Sequence, residues 1–404
     1  MEIDVSHRIK TYWENVEETM GRSNIECIRE QLSNSFVNPS AEHPENVAWF
    51  LAFLDLSFLV PFLKKIYPRF ERIEENVFAR VKFLLYMILT NRRSLRNAYL
   101  SLKANPQYVK LLGFKDGKLQ SYETLRAFIN EKLSDSLLEE MFYLITIKLK
   151  ELLGEYGINF GERRGEDATV IRALPNDAEA EYNDYYKVKG YKKDIVIDLD
   201  TGLPLAYADI GINEHEGACL IPLMARLATL GFTCKEQKVD GKYPTYENIA
   251  TAKIVYGAEL IYLPHKDWVF NEKGSEEAIK REYQKYWKDV DFRVNASIHY
   301  MLRFLYNKGK IEHVGAYYRN KVLLEYKKDP DGYKMQIGYG ERSKNEWFND
   351  YVKRHLGFDL NLPKRGKRAA YRYTTMCLIA INAVALTRVQ HGVTDNLGSV
   401  AYLV

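Results

Sequence analysis

A chain of 404 residues, 46% hydrophobic and 28% charged, has apolar mass for two or three packed domains, which excludes a disordered, collagenous or disulfide-stapled polypeptide. Its 58 Lys and Arg against 54 Asp and Glu leave a net charge of +4, so a nucleic-acid surface must be sought in local clusters. The four cysteines, Cys27, Cys219, Cys234 and Cys377, show no C-x-x-C pair and no zinc spacing, which favours reduced, separately buried thiols.

The N-terminus, Met1-Glu2-Ile3-Asp4-Val5, lacks the basic and apolar stretches of a secretory signal, and the longest apolar run, Trp49 to Leu63, is broken by Asp55 and Pro61. A cytoplasmic protein without a membrane span is expected. Residues 1 to about 158 read as helical, with a buried run from Asn76 to Thr90. Ser94 is placed to cap a helix through Leu95, Ala98, Tyr99 and Leu102, and Ser121 another through Leu125, Phe128 and Ile129. Leu112-Gly113 and Asp116-Gly117 mark turns between them. This layout suits a helix-turn-helix whose basic side is Arg92, Arg93, Arg96, Lys103 and Arg126; it equally suits an all-helical packing domain with solvated arginines.

From about 160 the periodicity changes. Asp167 to Ile171, Asp194 to Leu199, Leu203 to Gly211, Lys235 to Asp240 and Glu259 to Leu263 read as strands, and His215 to Thr229 and Thr245 to Ile254 as helices. Asp200-Thr201-Gly202 would turn a hairpin, and the order of segments implies a mixed α/β sheet over 159–265. Residues 266–337 read as an insertion with helices near Ser275 to Trp287 and Ile298 to Tyr306. A β-hairpin is expected there too, with Val322 to Tyr326 and Tyr333 to Ile337 flanking Asp329-Pro330-Asp331-Gly332. Residues 338–404 supply a helix from Ser343 to Leu356 and a largely apolar one from Tyr373 to Leu386.

The helix at Ser343 separates two faces. At about 100° per residue and with Glu346 as zero, Arg342 falls near −40°, Asp350 near +40° and Lys353 near −20°. Trp347, Phe348, Tyr351, Val352 and Leu356 form the opposite, anchoring face. Acids beside cations could hold a metal ion next to a phosphate. Ser343-Lys344-Asn345-Glu346 also fits a capping box, and mixed charge on a solvated face is commonplace.

Tyr339, Arg342, Glu346 and Lys353 follow the pattern Y-(2)-R-(3)-E-(6)-K. This resembles the signature around the catalytic glutamate of DDE transposases of the IS4-like insertion-sequence group. The likeness extends to Gly165-Glu166-Asp167-Ala168-Thr169, to Lys189-Gly190-Tyr191-Lys192, to Asp200-Thr201-Gly202-Leu203 and to Asn213-Glu214-His215-Glu216. It also takes in Val239-Asp240-Gly241-Lys242-Tyr243 and, upstream, Ser94-Leu95-Arg96, Leu111 to Phe114 and Ser121 to Phe128. Glu216 stands where the family often has Asp, and Cys234 to Lys238 is more polar than the family's second strand.

The resemblance implies an α/β ribonuclease-H-like mixed sheet with flanking helices, preceded by an all-α N-terminal domain and interrupted by an inserted α+β segment. It implies a metal-dependent DNA transposase in which Asp167, Asp240 and Glu346 are catalytic and bind two Mg2+ (or Mn2+) ions. Tyr339, Arg342 and Lys353 would contact DNA near the scissile bond. The expected partners are double-stranded DNA, the element's terminal inverted repeats and target DNA, with a homodimer on DNA in the cytoplasm or nucleoid. A catalytically silent DNA-binding protein and a nuclease without strand transfer are the alternatives.

Between Lys353 and Arg372 seven Lys or Arg face one acid, Asp359, so Arg354, Lys364, Arg365, Lys367 and Arg368 suggest a track for a DNA backbone. Other motifs are set aside. His215-Glu216-Gly217-Ala218-Cys219 lacks the second His of a zincin helix, and Asn213 and Glu216 read as cap and first-turn acid. Asp198 and Asp200 fit a turn, Glu166 should face away from Asp167, and no P-loop occurs.

Overall fold

The computed structural model describes residues 44–70, 74–92, 94–287, 296–358, 362 and 364–397. Among the described residues seven α-helices come first: α1 (Pro44–Ala52), α2 (Val60–Ile66), α3 (Glu74–Leu89), α4 (Leu95–Ala104), α5 (Pro106–Leu111), α6 (Tyr122–Ala127) and α7 (Asp135–Glu155). Ser94 and Ser121 cap α4 and α6 as expected, accepting from the backbone N–H groups of Asn97 and Thr124. α3 is apolar on nearly every side, with Val77, Val81, Phe83, Leu84 and Leu85 all sealed from solvent, as a core helix must be.

The sheet follows. β1 (Arg163–Arg172), β3 (Val188–Asp198) and β4 (Pro204–Gly211) are antiparallel neighbours, with the short β2 (Glu181–Asn183) pairing the start of β3. The β3–β4 turn forms where expected, Asp198 accepting from the N–H of Thr201 at 2.8 Å and Gly202 adopting φ 71°. After α8 (Leu220–Thr229) comes β5 (Glu236–Val239), parallel to β1, and after α9 (Tyr246–Ile254) comes β6 (Glu259–Ile261), parallel to β5. The result is a mixed α/β fold with a curled mixed sheet and flanking helices.

The expected hairpin in the insertion is replaced by helices. α10 (Glu276–Gln284) and α11 (Ile298–Asn307) lead into α12 (Ile311–Lys328) and α13 (Pro330–Gln336), and among the described residues of 266–337 no strand occurs. The reason lies in Asp329-Pro330. Asp329 caps α13 by accepting from the N–H of Gly332 at 2.9 Å, and Pro330 supplies a pre-set φ at the first helical position. The inserted segment is therefore helical and not α+β. It packs around Ile279, Tyr283, Leu302, Leu305 and Val314.

The chain closes with α14 (Ser343–Leu356) and α15 (Lys367–Gln390). One continuous hydrophobic core joins the N-terminal helices, the sheet, α14 and α15. α15 is the one unbroken helix among the described residues long and apolar enough to cross a membrane, but 83% of that window is buried within the protein, where it acts as the central core helix.

Candidate active site

β1 alternates its side chains, so Gly165 and Asp167 share one face while Arg164 and Glu166 share the other. β5 runs parallel to β1 with Val239 opposite Glu166, and its chain therefore delivers Asp240 beside Asp167. α14 packs onto the Gly165 face. A Cβ at Gly165 would stand 2.3 Å from Oδ1 of the buried Asn345, so the missing side chain is what lets the helix come so close. One turn further on, Asn349 Nδ2 donates to Asp167 Oδ2 at 3.1 Å.

The same helix carries Glu346 outward. Arg342 Nη2 lies 2.5 Å from Glu346 Oε1, while its Nη1 lies 3.8 Å from Asp240 Oδ1. The guanidinium rests over the Tyr339 ring at 5.6 Å, so Tyr339 supports Arg342. Arg342 thus pairs with both Asp240 and Glu346, Asn349 holds Asp167, and Asp167 lies near enough to feel the charges of Arg342, Asp240 and Glu346, all far from it in the chain. The capping box does not form: Ser343 Oγ donates to the carbonyl of Gly340 at 2.7 Å, and Glu346 is taken by Arg342 instead.

Electrostatics mark the place. Burial raises the Asp167 carboxyl to about 6; Arg342 pulls against that shift, and the carboxylates of Asp240, Glu216 and Glu346 push with it. Behind it, burial raises Asp194 to about 7 against a 2.9 Å hydrogen bond from Tyr243. Burial also lifts Glu166 well above the carboxylate range, its neighbour Asp194 adding to the effect. Glu166 does face away from Asp167, and it accepts from Gln237.

Sequence reasoning missed two neighbours. Glu216, 5% exposed, is no ordinary first-turn acid: Lys192 meets one of its oxygens at 2.9 Å and Lys242 the other at 3.5 Å. Its position after His215 in the family-like stretch was the available signal. Asn349 carried none. Asn213, expected as a helix cap, instead donates to Glu181 and to the carbonyl of Tyr182, tying β2 to the loop after β4.

The remaining expected residues are dispersed. Lys353 lies half-buried in the last turn of α14, and Arg354 pairs with Asp350 at 2.5 Å. Trp347, assigned to the anchoring face, is half-exposed and stacks on Tyr351, whereas Phe348, Tyr351, Val352 and Leu356 are buried as expected. Lys364, Arg365, Lys367 and Arg368 are exposed near the loop after β1, where the N–H groups of Gly366 and Lys367 donate to Asp177 and Glu179. Arg368 pairs with Asp135 at 2.7 Å, a contact that docks α15 on α7. Arg92 and Arg96 lie at the end of α3 and the start of α4; Arg126 is bound by Glu123 and Glu131; Arg93 falls outside the described residues.

Among the described residues, no group of three or more His, Cys, Asp or Glu is arranged to hold a metal ion as it stands. The Glu346 carboxylate is turned to Arg342. Compared with models of known families, with curated proteins and with solved structures, the chain matches none.

Proposed function

We propose that the chain is a metal-dependent DNA transposase that cleaves the ends of an insertion sequence and joins them to target DNA. The observation that carries this reading is the meeting of Asp167, Asp240 and Glu346 around Arg342. The first acid lies on the opening strand, the second at the end of its parallel neighbour and the third on a helix packed against the first. That is the layout implied by the resemblance to DDE transposases and their ribonuclease-H-like core.

The acids have the donor chemistry that divalent cations take, and Glu346 would have to leave Arg342 to join Asp167 and Asp240 around one. Carboxylate oxygens are the hard donors that Mg2+ and Mn2+ select, and burial, the main cause of the raised Asp167 carboxyl, is a cost to its charged form that a bound cation would offset. Asp167, Asp240 and Glu346 would hold the ions. When bound, a pair of such ions activates a water or a 3′-hydroxyl and stabilises the departing oxygen of the phosphodiester. The protein's own groups do the rest: Asn349 orients Asp167, Tyr339 supports Arg342, and Arg342 exchanges Glu346 for a phosphate oxygen. In hydrolysis the water oxygen bonds to phosphorus and the 3′-oxygen leaves as a hydroxyl; in joining, the oxygen of that hydroxyl bonds to a phosphorus of the target strand and gives up its proton, while the target's own 3′-oxygen leaves that phosphorus and departs as a hydroxyl.

Exposed Lys364, Arg365, Lys367 and Arg96, with Arg92, would contact the DNA backbone, and two protomers would pair two DNA ends. The test is incubation of the full chain with Mg2+ and DNA carrying the element's terminal repeats, beside Asp167→Asn and Glu346→Gln. Cleaved and joined products, lost in both variants, are expected. Cleavage without joining would reduce the protein to a nuclease, and equal products from the variants would remove the acids from the chemistry.

A further inference from the structure

We infer that Tyr185, with Lys242, forms a stacking site for an unpaired nucleotide beside the acidic cluster. This rests on DNA being the substrate and names the form in which the strand is held.

Tyr185 sits in the turn between β2 and β3 and is 81% exposed, so its ring contributes little to the fold. Its neighbour Tyr186 meets it edge to face at 5.0 Å and donates its hydroxyl to Glu216 at 3.4 Å. Lys242, two residues after Asp240, lies 5.3 Å from the Tyr185 ring and 5.8 Å from that of Tyr186. Its ammonium is steered by the second oxygen of Glu216, a carboxylate itself fixed by Lys192. A buried acid therefore holds a half-exposed cation next to an exposed aromatic face.

The turn is braced rather than loose. Asn183 Oδ1 accepts from the N–H of Tyr186 at 2.9 Å, and its amide donates to the carbonyl of Ile212 at 3.2 Å and to Asn213 Oδ1 at 2.9 Å. The pairing of an open ring with a positioned cation suits one nucleotide, the base on Tyr185 and its phosphate on Lys242, with Lys187 exposed nearby. Base faces in a duplex are already stacked, so the site selects unpaired strand. Burial raises the Tyr186 phenol, with Glu216 and Asp167 among the contributing charges, which ties the turn to the acidic cluster.

The test is fluorescence anisotropy of a labelled oligothymidylate and of a labelled duplex with the full chain, without divalent metal so that nothing is cut. Tyr185→Ala should weaken single-strand binding roughly 5- to 100-fold with little change on duplex, Tyr185→Phe should preserve it, and Lys242→Gln should flatten its salt dependence. Equal single-strand binding by wild type and Tyr185→Ala overturns the inference, as does an equal loss on duplex. Asp167→Asn separates the two levels: if wild type cuts no more DNA than this variant, the catalytic reading fails, while a Tyr185-dependent single-strand affinity still stands.

Discussion

Asn349 donates a hydrogen bond of 3.1 Å to Asp167 across 182 residues of chain, and it reaches that carboxylate from the same helix that carries Glu346. A donor to the charged form favours ionisation. Asn349→Ala should therefore move the Asp167 carboxyl above its value of about 6, read by NMR titration of the metal-free protein, and lower DNA cleavage roughly 10- to 100-fold. An unmoved titration would show that the contact does not orient the acid.

Asp167 should also weigh against stability. The folded protein holds its proton more tightly than the unfolded chain, so wild type loses stability as pH rises from about 4, the ordinary carboxylate value, to about 6. Above that window Asp167→Asn is expected to be more stable than wild type by on the order of 3 kcal/mol, and below pH ~4 this pH-dependent difference should vanish. Urea unfolding at both ends of the range measures it.

Arg342 is expected to matter far more for rate than for folding. Its pair with Glu346 is a helix-surface contact worth only about 0.3–0.5 kcal/mol, but a cation aimed at a reacting phosphate is worth about 10²–10³ in rate. Arg342→Ala should show both in steady-state cleavage and thermal unfolding, with Arg342→Lys recovering part of the rate because it lacks the planar fork.

The fit of α14 on β1 can be tested by a double-mutant cycle. Gly165→Ala drives a methyl into Asn345 and should destabilise by about 1–3 kcal/mol. Asn345→Ala removes the amide that it meets, so the double variant should be more stable than the sum of the single changes predicts, by at least ~0.5 kcal/mol.

Much of this arrangement was legible because local signals agreed. The capping serines and the span of α14 follow from side-chain chemistry that acts within a few residues, whereas β1 and β3 begin at Arg163 and Val188, well before the expected Asp167 and Asp194, because their polar opening residues are paired and largely buried by the rest of the sheet. Asp329-Pro330-Asp331-Gly332 misled because the same residues that turn a hairpin also cap and start a helix, as they do for α13. β5 forms within the expected Lys235 to Asp240, although that stretch is more polar than the family's second strand. Gln237 and Lys238 are nonetheless fully buried, since Glu166 pairs with one and the carbonyls of Ile337 and Gly338, with Glu341, satisfy the other. Those partners come from other parts of the chain, as does the link from Asn349 to Asp167, and no local pattern announces them.

Sharing of cations by Asp167, Asp240 and Glu346 is tested most directly by calorimetric titration of Mn2+ into the full chain, wild type beside Asp167→Asn and Asp240→Asn. Saturable binding in wild type, weakened at least ~10-fold in each variant, is the predicted result. Identical binding curves for all three proteins would contradict it.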